Sequence, residues 1–97
     1  MNSYIISKEA YNDLDQIWLY TFDEWSKEQA DRYYEEIMRE IDWISKNPNT
    51  GKTINETREG YRFIPVKSHL IFYKETKPDV IEIIRILHKR MKLRKHL

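Results

Sequence analysis

The hydrophobic period of the chain changes along its length, and the changes divide it into elements. Tyr4-Ile5-Ile6 is a short apolar, β-prone run that stops at Ser7, whose hydroxyl suits a helix N-cap. Glu9 then sets a negative charge in the first turn, where the helix dipole favours it. Ala10, Leu14, Ile17, Trp18 and Thr21 recur at helical spacing on one face, which leaves Asn12, Asp13, Asp15 and Gln16 facing mostly outward. A strand followed by a helix ending near Trp25 is expected. Ser26 and Gln29 have the form of a capping box, so a second helix starts there. Ala30, Tyr33, Tyr34, Ile37, Ile41 and Ile44 keep the helical period until Asn47-Pro48-Asn49-Thr50-Gly51 breaks it. So short a connection makes the two helices antiparallel.

A polar stretch from Lys52 to Gly60 reads as a loop, and beyond it the period drops to two. Tyr61 to Val66 is a strand containing Pro65, which lacks the donor a central strand needs, so it belongs at a sheet edge or is bulged there. His69 to Lys74 is a further strand, and Lys77-Pro78-Asp79 supplies a turn before Val80 to His88. That last segment has Ile and Leu on both faces, the mark of a strand covered on two sides and flanked by neighbours. The order is β-α-α-β-β-β: an α+β fold with two helices on one face of a small, largely antiparallel sheet, within a single domain spanning residues 1–97.

Charge alters this picture more than overall composition does. Residues 1–60 carry 7 Lys/Arg against 13 Asp/Glu, a balance of −6, whereas residues 61–97 carry 10 against 3, a balance of +7. After Glu82 there is no acid, while Arg85, Lys89, Arg90, Lys92, Arg94 and Lys95 are all basic. A field of one sign favours anionic partners and speeds encounter with them. The absence of cysteine removes disulfides, thiolate metal sites and a Cys nucleophile together. Apolar runs of a few residues fall far short of the roughly 20 a membrane span needs, and Met1-Asn2-Ser3-Tyr4 lacks the pattern of a signal peptide. A cytoplasmic protein with no membrane partner is expected.

Nucleotide-driven chemistry finds no support: there is no Walker loop or dinucleotide fingerprint, and only two glycines. His69, His88 and His96 share no metal-ligand spacing, so no metal and no cofactor are expected. The cluster to weigh is Arg62, Arg85 and His88. Guanidinium forks that hold phosphate beside an imidazole that moves a proton are what metal-independent RNA cleavage requires. Strand alternation, however, sends Arg85 and His88 to opposite faces unless a bulge intervenes. In the alternative, Arg85 meets an acid from a helix and His88 makes a structural hydrogen bond at the strand end. Tyr33, Tyr34 and Tyr73 read as core aromatics with a solvated hydroxyl.

Nearly the whole chain resembles a known family. Tyr4-Ile5-Ile6-Ser7, Ala10, Asp13-Leu14, Ile17-Trp18, Tyr20-Thr21, Trp25, Gln29-Ala30 and Tyr33 look like the opening of a ParE-type toxin of the RelE/ParE superfamily. Asn47-Pro48, Gly60-Tyr61-Arg62, His69 with Phe72-Tyr73, and Ile84-Arg85-Ile86-Leu87-His88 with Arg90-Met91 follow in the family's order. The resemblance implies the β-α-α-β-β-β fold and a type II toxin–antitoxin module, in which a ParD-like antitoxin restrains the toxin. It further implies poisoning of DNA gyrase or its DNA complex, with messenger-RNA cleavage on the ribosome, as in RelE-type relatives, the alternative. RelE-type nucleases usually carry a C-terminal tyrosine or His-Tyr pair, whereas here His88 precedes Lys89 and no tyrosine follows Tyr73. Lys46 and Lys52 likewise stand in place of a tight lysine cluster. The expectation is therefore inhibition by binding rather than catalysis, with Arg85, His88, Lys89, Arg90, Lys92, Arg94 and Lys95 contacting the target. Met91, Leu93 and Leu97, apolar among these cations, would bury against the core or a partner.

Overall fold

The computed structural model describes residues 3–54 and 59–91. Strand β1 (Ser3–Ile6) leads through Ser7 into helix α1 (Lys8–Glu24). The Ser7 hydroxyl accepts the Ala10 N–H at 3.0 Å and donates to the Ile84 carbonyl at 2.8 Å, so one cap both starts the helix and ties it to the last strand. Trp25 caps α1 and Ser26 opens α2 (Lys27–Lys46), its hydroxyl accepting from the Gln29 N–H at 3.1 Å. Asn47 ends α2 by donating its side-chain amide to the Trp43 carbonyl at 3.0 Å.

The remaining chain builds β2 (Lys52–Thr53), β3 (Tyr61–Val66), β4 (His69–Lys77) and β5 (Val80–His88), in the sheet order β1-β5-β4-β3-β2. Strand β5 pairs parallel to β1 and antiparallel to β4, so it is interior. Strand β2 is an addition to the four expected: Lys52 and Thr53, inside the polar stretch, pair with Phe63 and Arg62. Two polar residues show no alternation to reveal them. At Pro65 the outer side of β3 lies beyond β2, which answers the missing proline donor with an edge position.

The core lies between the helices and one sheet face. Ala10, Leu14 and Ile17 from α1, with Ile37, Ile41 and Ile44 from α2, pack on Ile71, Tyr73, Ile81, Ile83 and Ile86. Each isoleucine removed from water there contributes about 1.5–3 kcal/mol. Tyr73 is buried, donating its hydroxyl to the Pro48 carbonyl at 2.8 Å and accepting the Gly51 N–H at 2.9 Å. The expectation of a solvated hydroxyl therefore fails for Tyr73: it anchors the loop after α2. A Cβ on Gly51 would run into that phenol, which accounts for glycine there. Trp18 also departs from expectation. It is only partly buried, stacks on Phe22 and donates its indole N–H to Asp31 at 2.9 Å on the flank of the hairpin.

Two irregularities set the register of β4 against β5. Lys77 faces Val80 but Glu75 faces Ile81, so Thr76 is extra on β4; Tyr73 faces Ile83 but Phe72 faces Arg85, so Ile84 is extra on β5. Each shift undoes the other, and His69 ends opposite His88.

Candidate functional site

The extra residue at Ile84 decides the fate of Arg85. Its Nε and Nη2 donate to the two carboxylate oxygens of Asp13, each at 2.8 Å, and Asp13 Oδ2 also accepts the Ile86 N–H at 2.9 Å. Strand β1 pairs with β5 only as far as Ile83, so the Ile86 N–H lies past its end, and the helix carboxylate satisfies it. Asp13 is thus buried rather than outward-facing, a correction to the helical-wheel expectation: β5 supplies both a charge, Arg85, and a free backbone donor, Ile86, to hold it in. Hydrogen bonding to Asp13 raises the guanidinium pKa above its usual value.

The three residues considered for phosphate chemistry serve three different elements. Arg62 donates to the carbonyls of Gly51 at 2.8 Å and Asn49 at 3.3 Å, bracing the loop after α2. Arg85 is engaged by Asp13 on α1. His88 accepts the Arg90 N–H on Nδ1 at 3.1 Å, at the end of β5. Of the residues expected to contact a target, Lys89 and Arg90 are exposed, His88 is half-buried and Arg85 is turned to the helix. Lys92, Arg94 and Lys95, with Leu93, Leu97 and His96, lie outside the described residues.

What the fold assembles instead is a cleft of about 740 Å3 between the helical hairpin, the β3–β4 turn and the end of β5. Tyr20 and Trp25, 66% and 75% exposed, line it together with the exposed Met91. His69 and His88 sit side by side, their rings edge to face with centroids 5.3 Å apart. The Lys89 N–H bonds the Ser68 carbonyl at 2.9 Å, so this is a non-hydrogen-bonded pair, where facing side chains approach most closely.

Tyr33, from α2, holds the floor. Its hydroxyl lies 2.9 Å from the Val66 carbonyl and 2.7 Å from His69 Nδ1. A carbonyl can only accept and the phenol has one proton, so donation to Val66 assigns the imidazole proton to Nδ1 and leaves Nε2 as the acceptor. Burial, and next the neighbouring His88, depress the His69 pKa to about 4, with Asp13 opposing them. The ring is therefore neutral near pH 7. Burial also raises the Tyr33 pKa. The charged groups of the cleft are Arg32 and Glu36 on α2 and Lys67 in the turn, with Glu36 paired to Lys67 at 3.2 Å.

Tyr33, Tyr20 and Trp25 had appeared in the sequence only as family landmarks, helix-end or core candidates, and His69 as a landmark and a rejected metal ligand. Folding the chain at Pro78-Asp79 brings His69 onto His88, a signal that periodicity within single segments does not carry. Among the described residues no three His, Cys, Asp or Glu side chains gather as metal ligands. None of the described helices is long and apolar enough to cross a membrane.

Residues 4–93 match the family model described as the ParE toxin of the type II toxin–antitoxin system parDE. Toxin ParE1 of Caulobacter vibrioides is 39% identical over 97 residues, covering 100% of this chain and 99% of the relative. Toxin ParE1 of Mycobacterium tuberculosis is 37% identical over 94 residues, 97% of this chain and 96% of the relative. A solved structure described as the chromosomal ParDE TA system from P. aeruginosa superposes with a TM-score of 0.77 at 21% identity, covering 91% of this chain and 96% of that one. That likeness supports the two-helix, mixed-sheet fold.

Proposed function

Because the chain belongs to the ParE toxin family of type II toxin–antitoxin systems, we propose that it poisons DNA gyrase by binding the enzyme or its DNA complex, performs no bond chemistry itself, and is restrained by a ParD-like antitoxin. The supporting observation is the unequal fate of its cations. Arg62 and Arg85 are committed to the fold by carbonyls and by Asp13, so they are poorly placed to grip a substrate phosphate together. Lys89 and Arg90 are exposed where β5 ends, and among the described residues no carboxylate forms a salt bridge with either. A cationic projection beside an apolar cleft suits docking on a large acidic or nucleic-acid-bearing assembly. The setting would be the cytoplasm, where gyrase works.

Purified toxin tested on gyrase supercoiling, beside a translation-dependent RNA-cleavage assay on the same sample, separates binding from turnover. Supercoiling should be blocked and RNA left intact. His88→Ala should keep most of the effect, because a general acid or base would contribute ~10²–10⁴-fold and its loss would be plain. Gyrase left fully active by a folded sample would overturn the proposal, as would RNA cut at discrete positions.

A further inference from the structure

We infer that the chain turns back after Met91 and seats Leu93 in a second, smaller cleft on the sheet face that the helices leave bare. Resting on the gyrase reading above, this anchor holds Lys92 and Arg94 beside Lys89 and Arg90 as one cationic row for the target.

The cleft follows from strand alternation. Ile71, Tyr73 and Ile86 face the helices, so their neighbours Leu70, Phe72 and Leu87 face the other way. Phe63 lies opposite Phe72, the two rings tilted with centroids 5.7 Å apart. With Ile54 and Met91 these side chains bound a cleft of about 120 Å3, and among the described residues none from either helix lines it. Phe72 and Leu87 are each 3% exposed, so this side of the sheet has a small apolar core of its own.

Size and chemistry narrow the occupant. Small-molecule sites run to roughly 300–1,000 Å3, well above this one, whereas one or two aliphatic side chains fit. An ordered water needs about two to four polar partners, and among the described residues His88 is the one polar side chain of the lining.

The chain itself delivers an aliphatic side chain to this place. The His88 carbonyl accepts the Met91 N–H at 2.9 Å, closing a turn that reverses the chain at Lys89 and Arg90 and leaves Met91 lining the cleft. The sequence continues Lys92-Leu93-Arg94-Lys95-His96-Leu97. In extended backbone Leu93 lies about 7 Å beyond Met91 and on the same side, with Lys92 and Arg94 on the other. Seating one leucine on the apolar face therefore turns two cations outward together. Fixing them in advance spares the ordering cost that a loose tail would incur on meeting its target. Leu93 acts through these cations and is a positioning residue.

The chain has no cysteine, so Ile54→Cys with Leu93→Cys introduces a single pair. On mild oxidation of the full-length toxin that pair should close within one molecule at least about tenfold faster than Ile54→Cys with Lys92→Cys, whose side chains point apart. Trypsin should cut after Lys92 and Arg94 about tenfold faster in Leu93→Ala than in the parent, and Leu93→Met should recover most of the protection. The oxidised Ile54→Cys, Leu93→Cys variant should block supercoiling within about twofold of its reduced form, whereas Leu93→Ala should need roughly tenfold more toxin for the same block. Equal closure of the two cysteine pairs, disulfide-linked dimers in place of the internal bond, or equal cleavage of parent and Leu93→Ala would overturn the seating of Leu93. Loss of poisoning on oxidation, with the reduced form active, would overturn the cationic row. If the parent itself leaves gyrase active, the gyrase reading fails, and the disulfide and trypsin results still decide where Leu93 sits.

Discussion

The bulge in β5 and the segment from His88 into the turn after it, separated by a single residue, treat charge in opposite ways. At the bulge, Arg85 is gripped at both ends of its fork by Asp13, and the same carboxylate takes the Ile86 N–H. From His88 onward the chain turns outward, and Lys89 and Arg90 stand in solvent beside the aromatic cleft. In the sequence these cations form one basic run. The structure divides them, because a helix carboxylate reaches the bulge and none among the described residues forms a salt bridge at the strand end. Charge density alone therefore does not reveal which cations a partner can use; what matters is whether the fold brings an internal acid within reach of them.

The sharpest way to break the contrast is to remove Asp13. Asp13→Ala strands a guanidinium and an unpaired amide together, and should lower unfolding free energy by roughly 3 kcal/mol in urea titrations. Asp13→Asn, which can still accept from Ile86, should fall between that variant and the parent.

Acidification probes the cleft's own internal restraint. Burial sets the folded pKa of His69 at about 4, below its ordinary 6.5, so between those values the unfolded chain holds a proton that the folded chain lacks. The contribution is complete above about pH 6.5 and is lost as pH falls toward 4. Allowing for the ring's partial contact with solvent, the loss is on the order of 1–2 kcal/mol. Denaturation of the parent and of His69→Leu at pH 7 and pH 4.5 should show a steeper decline in the parent. Equal declines would count against a buried, neutral imidazole.

The smallest stability effect belongs to the strand end. Lys89→Ala with Arg90→Ala should shift unfolding free energy by no more than about 0.5 kcal/mol, since exposed side chains without internal partners are being removed. On the proposed function, the same pair should cost most of the poisoning of gyrase. A large stability loss here would erase the distinction between the bulge and the end of β5.

Much of the architecture was legible because local chemistry declares it. Ser7 and Ser26 announce the helices, Asn47 to Gly51 stops the second, and Pro65 falls where β3 runs past β2 and has no outer neighbour. Three features were not legible, each for a physical reason. Lys52 and Thr53 have no apolar alternation, so β2 exists only because β3 offers it an edge. The reading that Arg85 meets a helix acid is borne out, but Asp13 sits on the polar side of the predicted wheel, and nothing in residue type singles it out as that acid across seventy-two residues. The His69–His88 contact is a property of two strands at once, and it depends on irregularities that residue identity at Thr76 and Ile84 does not advertise.

Those irregularities have a consequence for how the hairpin tolerates change in length. Thr76 and Ile84 act as matched spacers, one in each arm, and losing either would transpose the residues on the far side of it by one place. The imidazoles would slide out of step and the arginine fork would lose its socket, although no side chain in either feature had been altered. A compensating loss in the opposite arm would restore the alignment. Lineages of this fold should therefore gain or lose such spacers in pairs.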